Sequence, residues 1–268
     1  MIDKPFYLEH SALAITERCV LKCKLCQTYI PYHNDPQDMD LETLSRILER
    51  YFSLVDSVSY FCLTGGEPLL RKDLLAVLEL VHTYSNQILK SVDFVTNGAL
   101  MIAPQVIDFL TANRDKSRVI ISDYGKYSPQ AGDLEKKLLD AGVSVRVEHY
   151  HGKDLLHGGW IDFRDHSLKH ITRADRDRQG ASCFFKNKRN YTIRKNELHN
   201  CARSYWRMLQ NIIPRNPEEY IDLLDTSESV PQQREKLRKL HSLVSVTSCA
   251  YCVGATDKTE RHVPAEQL

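Results

Sequence analysis

Hydrophobic and polar positions between residues 11 and 148 follow two alternating patterns. Short apolar runs, typical of buried strands, are followed by stretches in which apolar residues recur at helical spacing. The runs that predict strands are 11–16, 57–63, 92–96, 118–122 and 143–147. The residues that mark predicted helix ends are Asp40, Asp73, Pro104, Asp133 and Gly142. This alternation predicts an α/β fold with a parallel sheet and crossover helices.

Polar and glycine-rich segments fall directly after the predicted strands, where parallel α/β folds bind their ligands. No Gly-x-Gly-x-x-Gly follows any of these strands, which argues against a dinucleotide-binding sheet. We therefore expect a partial (β/α)6 TIM-like barrel, with its first strands and helices in residues 1–150.

The pattern breaks after about residue 150. Residues 151–180 are rich in His, Asp, Arg and Gly, and they predict a connecting segment with room for a last barrel strand. Residues 181–268 predict a small C-terminal domain, whose polar end beyond Ala255 we expect to be frayed. The elements predicted there are a β-hairpin over 190–200 and helices over 218–224 and 232–244.

Charge and hydropathy exclude several classes of partner. The 268 residues contain 36 Lys and Arg against 35 Asp and Glu, so no global field attracts nucleic acid or an anionic membrane. Mean hydropathy is −0.40, and no run of 18 apolar residues occurs. The N-terminus lacks an apolar signal core. We expect a cytoplasmic protein that binds neither nucleic acid nor membrane.

Eight cysteines stand out from this ordinary composition. In a reducing compartment, clustered cysteines indicate metal or redox chemistry rather than disulfides. Cys19, Cys23 and Cys26 form a Cys-x3-Cys-x2-Cys loop directly after the first predicted strand. Three thiolates can hold a 4Fe–4S cluster with one iron left open, whereas zinc would need a fourth ligand from elsewhere. The spacing alone leaves both interpretations open.

Two further motifs complete a recognisable set. Gly65-Gly66-Glu67-Pro68 follows the second predicted strand, and Thr96-Asn97-Gly98 follows the third. Together with the cysteine loop, and in this order, they resemble the motifs of the radical S-adenosylmethionine (radical SAM) superfamily over about residues 10–150. The resemblance implies a 4Fe–4S cluster on the three cysteines and SAM on its fourth iron. It also implies reductive cleavage of SAM to a 5′-deoxyadenosyl radical, with a flavodoxin or ferredoxin as electron donor.

The same resemblance implies a set of SAM contacts. Gly65 and Gly66 would let the methionine moiety approach the backbone, and Glu67 would accept a bond from its ammonium group. Ser122 matches a position that holds the carboxylate or ribose, and Leu25 stands where an aromatic residue often meets adenine. The full implied set is Leu25, Gly65, Gly66, Glu67, Pro68, Thr96, Asn97, Ser122 and Asp123.

Four further cysteines supply the ligands of a second site. Cys183 and Cys201 flank the predicted hairpin, and Cys249 and Cys252 form a Cys-x2-Cys pair. Spacing alone allows zinc or a fully ligated cluster. The pattern resembles the auxiliary-cluster twitch domain of some radical SAM enzymes, with Asn196 at a turn position where glycine is usual. Asn tolerates positive φ, so the turn can survive. The resemblance implies a second 4Fe–4S cluster, used for electron transfer or support.

Substrate residues are expected at strand ends. Arg146 and His149 are candidates for proton removal or for binding hydroxyl groups. Cys62 is either a buried small residue or a hydrogen-atom donor to a substrate radical. Further candidates are Asp123, Tyr124, His151, Trp160, Asp162 and Arg164. His149, His151 and His157 could also form a metal set, although loop histidines are more often solvated.

The layout is similar to that of short aminocyclitol (2-deoxy-scyllo-inosamine) dehydrogenases of the radical SAM superfamily. At this length we expect room neither for the leader-binding domain nor for the longer double-cluster tail that peptide-modifying relatives commonly add. We therefore expect dehydrogenation or epimerisation of a small polar substrate, a carbohydrate or an aminocyclitol. The alternatives are a maturase of a ribosomally made peptide and, from another class, a non-catalytic zinc-binding protein.

Overall fold

The computed structural model describes residues 5–153 and 155–268. The strands are β1 (Tyr7–Thr16), β2 (Ser57–Gly65), β3 (Ile88–Thr96), β4 (Ser117–Asp123), β5 (Ser144–His149), β6 (Asn190–Arg194), β7 (Glu197–His199) and β8 (Tyr220–Asp222). The α-helices are α1 (Leu41–Leu54), α2 (Leu74–His82), α3 (Pro104–Ala112), α4 (Ala131–Asp140), α5 (Arg173–Ser182), α6 (Phe184–Asn187), α7 (Ala202–Leu209) and α8 (Val230–Ser242). Within the described ranges, every helix is too short or too polar to cross a bilayer.

The eight strands form one sheet in the order β5-β4-β3-β2-β1-β6-β7-β8. The pairs formed among β1 to β6 are all parallel, whereas β7 pairs antiparallel with both β6 and β8. The predicted α/β fold is therefore confirmed, and all five strands predicted in the first half of the chain are present. Their carboxyl ends meet at one edge of the sheet, which is where the motifs lie.

The sixth parallel strand comes from the C-terminal part of the chain. Strand β6 lies beside β1, with Ile193 opposite Leu13, so the C-terminal residues extend the sheet at the edge opposite β5. The described residues between 151 and 180 contain no strand beyond a single bridge between Trp160 and His262. The choice of strand partner depends on long-range packing, which the sequence pattern does not reveal.

The C-terminal hairpin is confirmed, but its turn differs from the prediction. Positive φ falls on Lys195 (49°) instead of Asn196. The Asn196 side chain donates to Asp222 Oδ1 at 2.6 Å and so ties the turn to β8. Residues 218–224, predicted to be helical, form a 3₁₀ turn and β8, because their backbone pairs with β7.

Helix ends agree only in part with the predicted caps. The Asp40 carboxylate caps α1, and Gly142 (φ 72°) follows α4 as expected. The carboxylate of Asp73 binds the Arg71 guanidinium at 3.0 and 2.7 Å and does not cap α2. Asp133 lies inside the first turn of α4, where a carboxylate still suits the helix dipole.

The two faces of the sheet differ in polarity because side chains alternate along each strand. Residues such as Leu13, Phe61 and Phe94 pack against α1–α4 and α8 in one apolar core. The other face carries polar groups, including the fully buried Asp93, which accepts a hydrogen bond from Arg118 Nε at 3.0 Å. This polar face of the sheet leads to the carboxyl ends of the strands, where the motifs lie.

Candidate active site

A cavity of about 430 Å³ opens at the carboxyl ends of the parallel strands. It is lined by the first cysteine loop and by the ends of β2, β3, β4 and β5. The lining residues from these segments include Cys19, Cys23, Cys26, Gly65, Gly66, Thr96, Asn97, Ser122, Glu148 and Tyr150. The fold therefore brings three sequence motifs, separated by up to about eighty residues, to one site.

Backbone and side-chain donors hold the sulfur atoms of the cysteine loop. Asn97 Nδ2 donates to Cys19 Sγ at 3.6 Å, and Gln267 Nε2 donates to Cys23 Sγ at 3.5 Å. Burial raises the pKa of Cys19 to about 11 and that of Cys23 to about 12. Both are therefore neutral thiols near pH 7 unless a cationic group binds and displaces the protons.

The sulfur atoms of the first cysteine loop are spread more widely than the ligands of one zinc ion. In the part of the chain that the structure describes, no three cysteines bring their sulfur atoms within 4.8 Å of one another. A tetrahedral zinc ion with Zn–S bonds of about 2.3 Å would hold its sulfurs about 3.8 Å apart. As it stands, the cysteine loop is therefore not the preformed sulfur cage of a single zinc ion, and its assignment to a cluster stays a prediction.

Gly65 and Gly66 allow the cysteine loop to pack against the end of β2. A Cβ at Gly65 (φ 137°) would collide with the carbonyl oxygen of Thr16, and one at Gly66 with that of Arg18. Gly66 N–H donates to the Thr16 carbonyl at 3.0 Å. Close approach of this backbone is what requires glycine here. Contact between these glycines and SAM stays a prediction.

Glu67 is held by hydrogen bonds within the protein. It is fully buried and does not line the cavity. Its Oε1 accepts hydrogen bonds from Leu69 N–H and Thr96 Oγ1–H, both at 3.0 Å, and its Oε2 accepts one from Asn97 N–H at 2.7 Å. Burial raises the pKa of this carboxyl. Glu67 therefore joins the ends of β2 and β3 and places Asn97 beside Cys19; its contact with the SAM ammonium group stays a prediction.

Three other predicted site residues also lie off the cavity lining. Leu25 is buried, and Pro68 begins a 3₁₀ turn. Cys62 faces the polar interior of the sheet, where it is buried near Asp93 and Arg118, and burial raises its pKa. Its suggested role as a hydrogen-atom donor stays a prediction.

Alternation along β4 and β5 decides which candidates face the cavity. Ser122 and Glu148, which are paired in register, line it. Asp123 and His149 are the next pair and lie off the lining. Arg146 does not line the cavity either, but its guanidinium forms an ion pair with Glu148 at 2.9 Å. The sequence prediction therefore missed Glu148, because strand facing is invisible without the register.

Glu148 is held in place by hydrogen bonds and belongs to an aromatic wall. Tyr150 Oη–H donates to Glu148 Oε2 at 3.1 Å. The Tyr150 ring stacks on Tyr124 at 5.2 Å between centroids, and Trp160 meets Tyr124 edge-on at 5.5 Å. All four residues line the cavity, which thus has one fixed carboxylate beside three aromatic rings.

The far wall of the cavity comes from the connecting and C-terminal regions. Besides Trp160, it includes Leu156, His157, Phe163, Phe184, Phe185, Thr256, Asp257 and Arg261. The predicted candidates His151, Asp162 and Arg164 are not part of this lining.

The chain beyond Ala255 is ordered, in contrast to the prediction. Lys24 N–H donates to the Glu266 carbonyl at 2.6 Å, and Leu268 N–H donates to the Lys22 carbonyl at 2.9 Å. The C-terminal residues thus pair with the first cysteine loop. Only this pairing brings Gln267 to Cys23, and local polarity gives no sign of it.

The second set of cysteines also converges. Cys183 precedes α6, Cys201 precedes α7, and Cys249 and Cys252 lie at a 3₁₀ turn. All four line one small enclosed pocket, together with Gln179, Phe185, Lys186 and Arg203. Four thiols around one pocket are enough to ligate a cluster completely.

Buried donors make this pocket suited to an anionic group. Arg203 Nη1 donates to Cys252 Sγ at 3.3 Å. Burial disfavours the Cys252 thiolate, but Arg203 and Arg207 outweigh it and lower the pKa of that thiol. Nε and Nη2 of Arg203 and Nε2 of Gln179 are buried without a hydrogen-bond partner in the described chain. Sulfides of an iron–sulfur group would satisfy such donors.

A single aromatic layer separates the pocket from the cavity. Phe185 lines both spaces. The Arg203 guanidinium lies 4.2 Å from the ring centroid of Phe163, another cavity residue, and 5.4 Å from that of Phe185. The two cysteine sites are therefore connected through packed side chains.

Comparisons with known proteins agree with this arrangement. Residues 13–122 match the family model of the Radical SAM superfamily. A GTP 3′,8-cyclase of Sulfurovum sp. is 22% identical over 211 residues, which span 69% of this chain and 64% of that enzyme. An S-adenosylmethionine-dependent nucleotide dehydratase of Selenomonas ruminantium is 31% identical over 97 residues, 35% of this chain and 32% of that protein.

The matched segments cover less than two thirds of these relatives, and only 29% of the GTP 3′,8-cyclase of Campylobacter jejuni. Among solved structures, BtrN in complex with AdoMet and 2-DOIA is similar over 98% of this chain and 100% of that chain. The TM-score is 0.53 and the sequence identity 16%. That likeness concerns the fold.

Proposed function

The chain carries a radical SAM domain, and from this premise we propose that it removes a hydrogen atom from a small polar substrate, a carbohydrate or an aminocyclitol, in a dehydrogenation or epimerisation. One observation carries the proposal. The first cysteine loop, the ends of β2 to β5 and the C-terminal region enclose a single cavity of about 430 Å³. That volume is in the range of small-molecule sites.

The first site would hold a 4Fe–4S cluster on Cys19, Cys23 and Cys26, with SAM along the ends of β2 and β3. When bound, these two groups supply one-electron cleavage of SAM and a radical that takes hydrogen from carbon. The residues of the chain contribute position: Asn97 and Gln267 orient the thiols, and the aromatic walls exclude water. The second set of cysteines would hold a fully ligated cluster.

The polar wall supports a hydroxylated substrate. Tyr124, Tyr150 and Trp160 present ring faces and edges that suit the C–H face of a sugar-like ring. Glu148, fixed by Tyr150 and Arg146, can accept a hydrogen bond from a hydroxyl group and then its proton. In a dehydrogenation the substrate carbon loses a hydrogen atom, the hydroxyl loses a proton to Glu148, and one electron leaves through a carrier. The pocket behind Phe185 is placed to hold that carrier.

Metal analysis and turnover test the proposal together. Anaerobically reconstituted protein should contain about eight irons and eight sulfides per chain. With SAM and dithionite it should release 5′-deoxyadenosine, and more of it with the right sugar or aminocyclitol than with GTP as comparison substrate. Protein with zinc and no iron would overturn the enzyme proposal. Cleavage stimulated by a peptide or by GTP would overturn the substrate class.

Glu148→Gln tests the proton acceptor. We expect substrate-dependent turnover to fall by about 10²–10⁴-fold while both clusters stay in place. Asp133→Asn, an exposed carboxylate on α4, is the matched control and should change nothing. Unchanged turnover in Glu148→Gln would remove this residue from the mechanism.

A further inference from the structure

Asp123, His149 and His151 form a cluster that the proposed reaction does not use. They lie at the ends of β4 and β5, on the side opposite the residues that line the cavity. Each offers one potential metal ligand, and these three atoms all lie within 4.8 Å of one another. His157, which the sequence grouped with the two histidines, is not part of this cluster and lines the cavity instead.

The three ligand atoms are close enough together for one ion to reach all of them. His149 Nδ1 is 3.2 Å, and His151 Nε2 is 2.8 Å, from the same atom, Asp123 Oδ2. Ligands about 2.0–2.2 Å from a zinc ion in tetrahedral geometry lie about 3.3 Å apart. The two imidazole planes are 86° apart, so the nitrogens approach the carboxylate from different directions.

The carboxylate is fixed by contacts of its own. Asp123 Oδ1 accepts the Gly125 N–H at 2.9 Å, which leaves Oδ2 directed at the histidines. Gly125 (φ 62°) also makes room, because a Cβ there would lie only 3.0 Å from Cγ of His151. A backbone hydrogen bond from Tyr150 N–H to the Asp123 carbonyl, at 2.8 Å, holds the two strand ends together. Such outer contacts orient metal ligands in proteins.

We propose that Asp123, His149 and His151 bind one divalent transition-metal ion, with zinc as the best match. Two imidazoles and one carboxylate suit zinc, nickel or iron(II), and their partial exposure leaves coordination positions for water. The ion joins the end of β4 to the edge strand β5 and to the residue after Tyr150. It therefore fixes the segment that supplies the aromatic wall of the cavity. This inference does not depend on the proposed reaction.

Zinc titration of the cluster-loaded protein tests the site, because the cysteine thiols are then occupied. Isothermal titration calorimetry with zinc chloride under anaerobic conditions should show one zinc per chain. His151→Gln and Asp123→Asn should each weaken this binding by at least about tenfold. His157→Gln is the matched control, from the same segment, and should bind zinc like the unmodified protein.

A second measurement keeps the test decisive if Asp123→Asn disturbs the fold. Zinc should slow hydrogen exchange of the amides of residues 149–153 in the unmodified protein, but not in His149→Gln, whose side chain is exposed. Absence of zinc binding by the loaded protein would overturn the proposal and leave a hydrogen-bonded cluster. Equal loss of binding in His157→Gln and His151→Gln would overturn it as well.

Discussion

The two cysteine sites differ in the accessibility of their sulfur atoms and in the charge of the groups that donate to them. The first has three thiols on an open cavity, neutral amide donors from Asn97 and Gln267, and no arginine contact to sulfur among the hydrogen bonds of the described chain. The second has four thiols in a closed pocket with a fully buried arginine. An open site leaves one coordination position for an exchangeable ligand, whereas a closed site must balance its charge within the protein.

Different surrounding residues therefore give two similar sets of cysteines different properties. Opening the first site requires glycines at the β2 end and a docked C-terminus to hold the loop from outside. At the second site, Arg203 donates to a cysteine sulfur and also contacts the aromatic layer shared with the cavity.

Cys19→Ala should abolish the function of the open site alone. Iron should fall from about eight to about four per chain, and SAM cleavage should be lost, because two thiolates do not hold the exchangeable centre. Iron analysis and 5′-deoxyadenosine release measure this, with Cys62→Ala as a control that keeps its iron. Residual SAM cleavage in Cys19→Ala would assign that chemistry to the other site.

Cys252→Ala should also remove about four irons, but SAM cleavage without substrate should persist. The reason is that Cys19, Cys23 and Cys26 are not among the residues that line the second pocket. Product formation per SAM cleaved should fall. Loss of all iron would show that the two sites fold as one unit and do not bind their clusters independently.

Arg203→Met should make the second cluster harder to reduce, because a buried cation that favours the more negative state is gone. Arg203→Lys keeps the charge, so the reduction potential of its second cluster should lie between those of the unmodified protein and Arg203→Met. Redox titration followed by electron paramagnetic resonance separates the two clusters. A shift confined to the first cluster would contradict the assignment of Arg203 to the closed site.

Glu67→Gln should destabilise the open site by about 1–3 kcal/mol, since one of three hydrogen bonds to a buried carboxyl is lost. Burial raises the pKa of Glu67 in the folded protein, so the folded state holds this proton more tightly than the unfolded chain. Its contribution to stability is full below the unfolded pKa of about 4.3 and declines as pH rises through the folded value.

The loss of stability caused by Glu67→Gln should therefore be larger at pH 5 than at pH 8. It is measured as the decrease in the thermal unfolding midpoint relative to the unmodified protein. Glu49→Gln, an exposed residue of α1, serves as control. A deficit that grows with pH would contradict the raised pKa.

Gln267→Ala should have the smallest effect, about 1 kcal/mol or less on the loop. It removes donation to Cys23 Sγ and acceptance from Lys22 N–H at 2.7 Å. Iron release to a chelator should become faster from the first site only. Glu266→Gln, whose ion pair with Lys24 is exposed, should leave release unchanged. Equally accelerated iron release from both sites would show that Gln267 does not act specifically on the first cysteine loop.

Local signals in the sequence were sufficient for much of this architecture. Strand-and-helix alternation predicted the α/β sheet, and the α1 cap and the hairpin were found where expected. Cysteine spacing predicted two ligand sets, which the structure brings into two pockets. The first set and the Cys249–Cys252 pair lie within a few positions of one another, whereas Cys183 and Cys201 lie much earlier in the chain than that pair.

Other features required long-range packing. Whether His149 or Glu148 meets the cavity depends on the register of β5 against β4, and a shift of one residue reverses the facing of every side chain. The pairing of Gln267 with Cys23 joins residues 244 positions apart.

The class of fold and the kinds of ligand can be predicted from the sequence, because periodicity and cysteine spacing are visible along the chain. Which side chains meet depends on the tertiary structure: Glu148 meets the cavity, Arg203 the second site, and Asp123 two histidines. Those encounters depend on strand order, register and the path of the C-terminus, which are set by the packing of the whole molecule.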